Sequence, residues 1–523
     1  MTFVQNFPFF CIIISMFSAI ISFILNGKWA KIVHYAMVAA VFVMSVGCLL
    51  YTHEANISYN YMMGHYPAPW GNEIRIGELE CLMAASFSLI MILSVMGGSY
   101  HIKLDIEKSK MNLFFIQLDL MMAALLALIY TNDLFTAYVF IEICTIAACG
   151  LIMARKIGRV YVSAIKYMVM SLVGSGLFLI GLSLLYAITG QLLMSPAKEA
   201  MQRILAEGTY AIPSAVIMVL LTVGLGIKSG LYPFHTWIPD AYGYSTTAAS
   251  AILSSLVSKG YIFLLIKLIV RVLPYNSVPG GQMENVLFFF GVIGMIIGSV
   301  DAIQERNIRR MISYSSVAQI GYIYMGIGLG TDAGIIAALF HVISHGLMKA
   351  LLFISATGLI DASDGRLDRK GITGAGFRNK VAAVGFTVGS LSMIGMPLFT
   401  GFVSKFMFAS AATQAPVYKM IIAWTALAIS TVLNAVYFMR TVIVIFTREK
   451  KAVTVVSGDI QAENYNESAS SNDLINPTSS DDHRNQYIFE NAATIGLAAL
   501  NIALGTLSPF VINILTGGLA VFG

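Results

Sequence analysis

Three features of the sequence predict an all-α polytopic membrane protein of about fourteen transmembrane helices, with two inverted five-helix repeats and broken helices. The first is solvent preference. Of 523 residues, 57% are hydrophobic and 11% charged, with a mean hydropathy of +0.78, which excludes an ordinary soluble domain. The second is length: apolar runs of roughly 20 residues, enough for a helix to cross a bilayer, recur along the chain. The third is a pair of interrupted runs bearing Lys228 and Lys405, broken at Ser229, Gly230 and Pro233 and around Gly395, Pro397 and Gly401. An odd offset of five spans between them reverses their direction through the membrane, the pattern of an inverted repeat.

The stretch MTFVQNFPFFCIIISMFSAIISFILNGKWAK lacks a basic leader and a small-residue cleavage site, so it is expected to be an uncleaved first span with no soluble domain ahead of it. Spans at 4–26, 30–51 and 79–99 make an amino-terminal unit, 1–110. Those at 111–130, 132–153, 160–188, 212–232 and 247–270 make the first repeat, 111–273, and those at 283–303, 311–329, 333–360, 381–410 and 419–446 the second, 283–446. A polar loop, 447–487, is poor in apolar residues and rich in Ser, Asn and Asp, which predicts disorder or wrapping on a partner. A last span, 488–521, lies in the terminal unit 488–523. Alternating the loops puts about 20 Lys and Arg on one face and about 5 on the other, so the basic loops HIKLDIEKSK, ARKIGR, ERNIRR and GRLDRKGITGAGFRNK are expected in the cytoplasm and both termini outside, in a cell membrane.

About seven basic residues remain inside spans, each costing at least ~2.5 kcal/mol there. They are Lys166, Lys228, Lys259, Lys267, Lys349, Lys405 and Arg440. Lys267 and Arg440 lie toward helix ends, where snorkelling to the interface explains them, and Lys166 suits the same account. Lys228, Lys259, Lys349 and Lys405 lie deeper and need partners or water. Glu142, the carboxylate well inside the fifth span, is the natural partner of Lys228, whose helix breaks immediately afterwards. Irregular backbone at membrane depth lines protein or a watery cavity, so a lysine at such a break reads as a transport residue rather than half of a static ion pair.

The run HVISHGLMKA places His341, His345 and Lys349 at i, i+4 and i+8, a single ionisable stripe on an otherwise apolar helix. Two histidines at this spacing suit zinc, but no third ligand lies nearby in sequence, and one helix face cannot clasp a haem from both sides. Cys11, Cys48, Cys81, Cys144 and Cys149 are scattered over apolar spans without a CxxC, which predicts free core cysteines. GVIGMIIGSV and GITGAG lack the strand context of a nucleotide loop. No cofactor, metal or nucleic acid is therefore expected on this chain, and no redox or hydrolytic site.

Taken in order, MGHYPAPWG, VFIE, KSGLYPFHTWIPDAY, RNIRRMISYSSVAQIGYIYMGIGLGT, ALFHVISHGLMKALLF and GMPLFTGFVSK resemble the motifs of a known family. It comprises the antiporter-like subunits of respiratory complex I, energy-converting membrane-bound hydrogenases and Mrp-type cation/proton antiporters. The likeness covers nearly the whole chain and is greatest to the D-type subunit of Mrp antiporters. It implies a lateral proton relay halfway across the membrane: Glu142 and Lys228 as the glutamate–lysine pair of the amino-terminal half-channel, Lys259 as the bridge, His341, His345 and Lys349 as the centre, and Lys405 as the terminal lysine. His235 and Asp240, within KSGLYPFHTWIPDAY, are accessory candidates. Partners implied are other membrane subunits of a hetero-oligomeric complex and, in the redox-driven members, a peripheral redox arm. The carried ions implied are protons and, in Mrp assemblies, sodium.

The chemistry suits that relay, because histidine titrates near neutrality and a buried ammonium gives up its proton more readily than a solvated one. Glu142 would act as the tuner, favouring the ammonium of Lys228 when near and its release when apart. Relatives usually have Pro-Thr-Pro where this chain has YGYSTTAASA, so the start of the eighth span is expected to differ in shape. The long lateral helix of some complex I relatives is absent, and Asp119 and Glu80 have no assigned role. The competing class is a stand-alone secondary transporter, which predicts one central pocket rather than ionisable groups spread over many helices.

Overall fold

Apolar runs without internal water must satisfy their backbone groups within themselves, and they do so here as helices. The computed structural model describes residues 3–67, 71–273, 277–448 and 480–522, so most of the polar loop lies outside the described residues. The order begins α1 (Phe7–Ile24), α2 (Gly27–Ala55), a hairpin of β1 (Tyr59–Met62) and β2 (Glu73–Ile76), α3 (Glu78–Gly97), α4 (Ser99–Asp105), α5 (Met111–Tyr130), α6 (Leu134–Met153) and α7 (Gly158–Thr189). It continues with α8 (Met194–Ala206), α9 (Ala211–Ser229), α10 (Ile238–Tyr244), α11 (Thr247–Ile252), α12 (Ser258–Arg271), α13 (Val278–Gln304) and α14 (Ile308–Gly328). Then follow α15 (Asp332–Asp361), α16 (Ala375–Arg378), α17 (Lys380–Ile394), α18 (Thr400–Ala412), α19 (Val417–Ile445), α20 (Ser480–Thr506) and α21 (Ser508–Ala520). Asn26, Asp133, Asn307, Thr331 and Asn379 each accept a backbone N–H at the start of α2, α6, α14, α15 and α17, fixing where those helices begin.

Among the described residues, 12 helices are long and apolar enough to cross a membrane. This is a multi-pass membrane protein. Two of the expected spans are not among the 12. The run 311–329 is α14, long enough at 21 residues but rich in Arg, Ser, Tyr and Gln. The run 381–410 is divided into α17 and α18, at 15 and 13 residues each too short alone. The expected final span 488–521 also differs, because it divides between α20 and α21, where Pro509 stands in the first turn of the second helix and has no N–H to continue the first.

Both expected breaks are present. Helix α9 stops at Gly230, whose φ of +83° and close approach to Ile238, 2.2 Å from a notional Cβ, admit no side chain. The chain then turns through His235 and resumes as α10. Helix α17 stops at Gly395, and Gly401 of α18 packs so tightly on the Ser392 carbonyl that a Cβ would lie 1.7 Å from it. A third irregularity is not legible in the sequence: a π-helical turn, Leu253–Val257, joins α11 to α12 immediately before Lys259.

Burial ranks the helices. The most apolar stretch of Thr247–Arg271 is wholly buried and that of Asp332–Asp361 is 94% buried, against 39% for Gly158–Thr189. Helix α7 instead exposes Val162, Ile165, Val169, Leu172 and Val173, the surface expected against lipid or a partner helix. Polar groups on α12 and α15 therefore face protein, not hydrocarbon.

Several buried charges prove to be structural. Lys267 does not snorkel to the interface as expected: it is wholly buried and donates to the carbonyls of Leu128, Ile129 and Thr131 at the carboxyl end of α5. Those carbonyls lack intrahelical partners, and a cation there meets the negative end of the helix dipole. Arg271, one turn on, bonds Glu80 of α3 at 2.7 Å and stacks 3.9 Å over the Phe522 ring. Asp119 of α5 meets His34 of α2 at 2.6 Å and accepts from Ser18 and Ser22 of α1. Arg440, by contrast, is exposed. The five cysteines are free and buried.

Removing Arg271 would strand the Glu80 carboxylate, whose Oε2 already lacks a partner. Arg271→Ala is expected to destabilise the protein by about 3–5 kcal/mol, the usual result of breaking a buried pair by removing one member. A fall in the unfolding temperature of the detergent-solubilised protein, absent in an Arg440→Ala control, checks this.

Candidate functional site

The site grows outward from the interruptions in α9 and α17. Lys228, in the last turn of α9, projects toward α6 and is 1% exposed. Its Nζ donates to the Thr145 hydroxyl at 2.6 Å and lies 4.0 Å from Oε1 of Glu142, one turn earlier on the same helix as Thr145. The Tyr261 ring of α12 stands beneath it at 5.8 Å. Glu142 Oε1 accepts no hydrogen bond, while its side chain is 25% exposed. The lysine is thus held by a hydroxyl within reach of a carboxylate it does not touch.

Lys259 follows the π turn of Leu253–Val257. That turn widens the helix, and Lys259 Nζ donates back to the Ser254 carbonyl, with the Ser258 hydroxyl at 3.4 Å. On α15, His345 is wholly buried and neither ring nitrogen has a partner. Lys259 and Lys349 both lie within electrostatic reach of it. Lys349 donates to the Ile312 carbonyl at 2.7 Å and to the Ser315 hydroxyl, both on α14.

The two histidine rings stack, with centroids 5.5 Å apart and planes 15° apart. His341 Nδ1 lies 2.7 Å from the Ser404 hydroxyl of α18, and its ring stacks on Tyr322 of α14 at 5.9 Å. Lys405, one residue past Ser404, sits 5.4 Å over that same Tyr322 ring. Its Nζ donates to the Ile394 carbonyl that ends α17, at 2.7 Å, and to the Thr431 hydroxyl of α19, at 3.1 Å. No carboxylate pairs with Lys405 among the described residues, whereas Lys228 has Glu142.

All seven relay candidates, Glu142, Lys228, Lys259, His341, His345, Lys349 and Lys405, therefore lie around two central helices, each next to at least one other candidate or a hydroxyl. The accessory candidates do not join them equally. His235 stacks on Tyr232 at 5.4 Å with Nε2 3.9 Å from Asp301, beside the break in α9. Asp240 is committed elsewhere, to Lys166 at 2.6 Å and Arg310 at 2.8 Å, so it clamps α10 to α7 and α14. That bond holds the Lys166 ammonium at a half-exposed position.

Reading the sequence for charge alone misses the neutral groups. Thr145, Ser254, Ser315, Ser404 and Thr431 supply the oxygens, and Tyr261 and Tyr322 the ring faces, that hold the ammonium and imidazole groups. The signal that marks them is hydroxyl density in otherwise apolar spans, as in SSLVSKGY and SYSSVAQ. Such a set can bind protons at several stations and pass them over short hydroxyl or water steps.

Comparison with known proteins points the same way. The family described as "NADH:quinone oxidoreductase/Mrp antiporter, TM" matches residues 131–431, which spans every relay candidate. The chain is 31% identical over 414 residues to the NADH-quinone oxidoreductase subunit N of Desulforudis audaxviator, covering 78% of this chain and 80% of that one. It is 26% identical over 406 residues to the D-type subunit of the Na(+)/H(+) antiporter of Bacillus subtilis, covering 77% and 80%. Its fold matches a chain of the Mrp complex from Dietzia sp. DQ12-45-1b with a TM-score of 0.83 at 20% identity, covering 99% of this chain and 97% of that one. With an ionisable axis built between two broken helices and a family match across that axis, this chain belongs to the NADH:quinone oxidoreductase/Mrp antiporter family of membrane proteins.

Proposed function

We propose that this chain is the proton-translocating, antiporter-like subunit of a multi-subunit complex in the cell membrane, with its basic loops in the cytoplasm and both termini outside. The observation that carries the proposal is the buried ionisable axis on α12 and α15, continued by Lys228 and Lys405 at the two helix breaks. Buried charges without a static partner are costly in a membrane and are retained where they work. His345, a wholly buried titratable ring with two unpartnered nitrogens, lies on the same axis.

In this reading a proton from the cytoplasm loads Lys228 while Glu142 is near. Separation of the pair releases it to Lys259, because an ammonium without a counter-charge is disfavoured in a low-dielectric interior. From Lys259 it crosses to His345 and Lys349, then through His341 toward Lys405, which governs release to the other side. The five-helix units around α9 and α17 act as inverted repeats, each with one half-channel. The chain carries no cofactor. The drive comes from partners: exchange for sodium in an Mrp-like assembly, or a peripheral redox arm in a complex I-like one. Co-purification with small membrane subunits or with a metal-bearing arm separates these, and a chain that purifies alone and transports a solute overturns the subunit reading.

The two ends of the axis differ chemically, which gives a direct test. Lys405→Ala should reduce proton movement in vesicles containing the assembled complex to background, since no carboxylate pairs with Lys405 among the described residues and His341 beside it is held by Ser404 rather than at the α17 carbonyl end. Lys405→Glu also carries a proton and should keep partial activity with a displaced pH optimum. Full activity in Lys405→Ala would remove Lys405 from the path.

A further inference from the structure

A second cluster of titratable groups lies on the face of the basic loops, apart from the Glu142–Lys228 pair. His101 stands on α4, and its Nε2 is 3.2 Å from Oδ1 of Asp361, the last residue of α15. Glu490 comes from α20, with Oε1 so near Gly358 of α15 that a Cβ there would lie 3.2 Å from it. His101 and Glu490 are only 8% and 4% exposed. Each of the three residues keeps a buried atom without a partner: Nδ1 of His101, Oδ2 of Asp361 and Oε2 of Glu490. Unsatisfied donors and acceptors from three helices around one spot suit a small ligand with several hydrogen-bonding faces, and the smallest is a hydrated proton.

Hydroxyls continue inward from this cluster along α15. Thr494, one turn after Glu490 on α20, donates its hydroxyl to the Glu490 carbonyl at 2.9 Å and turns its methyl to Gly385 of α17, on which the Ser355 hydroxyl of α15 also closes. Ser355 Oγ is itself buried and unpartnered. Thr357 of α15 accepts from Thr247 of α11 at 3.2 Å. Lys349 lies about 9 Å from Ser355 along the helix axis, at ~1.5 Å per residue.

We propose that His101, Asp361 and Glu490 form a proton-collecting site that feeds the central Lys349 directly from the basic-loop face, a second inlet independent of Glu142 and Lys228. The inference rests on the proton-relay reading above. Charges facing His101 are Asp361 from α15, Glu490 from α20, and Asp105 from its own helix, where Tyr100 is also next to it. Asp105 is itself bonded to Arg155 at 3.3 Å, and Arg309 of α14 lies within electrostatic reach of Asp105 and Asp361. Helix α11, also packed on α4, has no ionisable residue, and Glu78 and Glu80 stand at the far end of α3. Burial alone would lower the proton affinity of His101, but the bond to Asp361 and the surrounding carboxylates outweigh it and raise its pKa. The imidazolium–carboxylate pairing is therefore complete below the ordinary histidine value of about 6.5 and is lost as pH rises through the raised one.

The test uses the assembled complex in vesicles, with proton uptake from the basic-loop face followed across pH. His101→Ala and Glu490→Gln should each slow uptake roughly two- to tenfold, the other inlet carrying the rest, with the deficit of His101→Ala concentrated above neutral pH. Imidazole on that face should restore His101→Ala, which loss of packing alone would not show. Unchanged rates and profiles in both variants, or a pH-independent deficit in His101→Ala without imidazole rescue, would overturn the inlet. If His101→Ala fails to assemble, the isosteric Glu490→Gln decides alone. Lys228→Ala run alongside separates the two readings: its full activity sinks the relay as a whole, whereas its complete inactivity, or unaffected His101 and Glu490 variants beside it, sinks only the second inlet.

Discussion

Lys228→Ala is expected to stop proton entry through the Glu142 half-channel in complexes that still assemble, leaving to coupled ion movement only what the His101 inlet supplies. The side chain lies in the last turn of α9, so its removal deletes a proton carrier without removing a helical hydrogen bond. Its present partner, the Thr145 hydroxyl at 2.6 Å, cannot take its place, because a threonine does not titrate in the working range. Glu142→Ala should have the same outcome for a different reason. The carboxylate 4.0 Å away sets when the ammonium is stable, and without it the lysine loses the counter-charge that loads it. Proton movement in vesicles bearing either variant measures this; wild-type rates would sink the assignment of the pair.

The second large effect is expected at the centre. His341→Ala or His345→Ala should slow proton movement, and the double variant should stop it. The rings stack at 5.5 Å, so a water replacing either one can bridge from its neighbour, but loss of both leaves no imidazole to connect Lys259 and Lys349 with Tyr322 and Lys405. Because His341 is bonded to Ser404 and His345 to nothing, the His345 variant should disturb stability less than the His341 variant. Transport at the wild-type rate in the double variant would place the path elsewhere.

What the sequence discloses follows from cost. A lysine or histidine inside an apolar run is conspicuous because it is expensive, which is why Lys228, Lys259, His341, His345, Lys349 and Lys405 stand out before any fold is known. Proline and glycine betray the two breaks by the same logic. Hydroxyls are cheap in a helix, since they can bond the carbonyl one turn back as Thr145 does to Ile141, so their role at the axis stays hidden. The π turn at Leu253–Val257 has no composition of its own. Lys267 illustrates the other failure: position near a helix end suggests the interface, but the carbonyl end of a helix 136 residues away in sequence at Thr131 claims it. His101 and Glu490 do not stand out because each lies at the margin of a span, where a titrating residue is ordinary.

Helix α12 is fastened at its far end twice, by Lys267 to the end of α5 and by Arg271 to Glu80 of α3. It therefore behaves as a clamped beam, unable to slide or turn as a unit without tearing out two buried cations. The compliant joint is at the other end, in the widened turn next to Lys259. Any displacement of that lysine must be absorbed there, over a few residues, so the mechanical throw of the bridging station is short and its return position is set by the clamp.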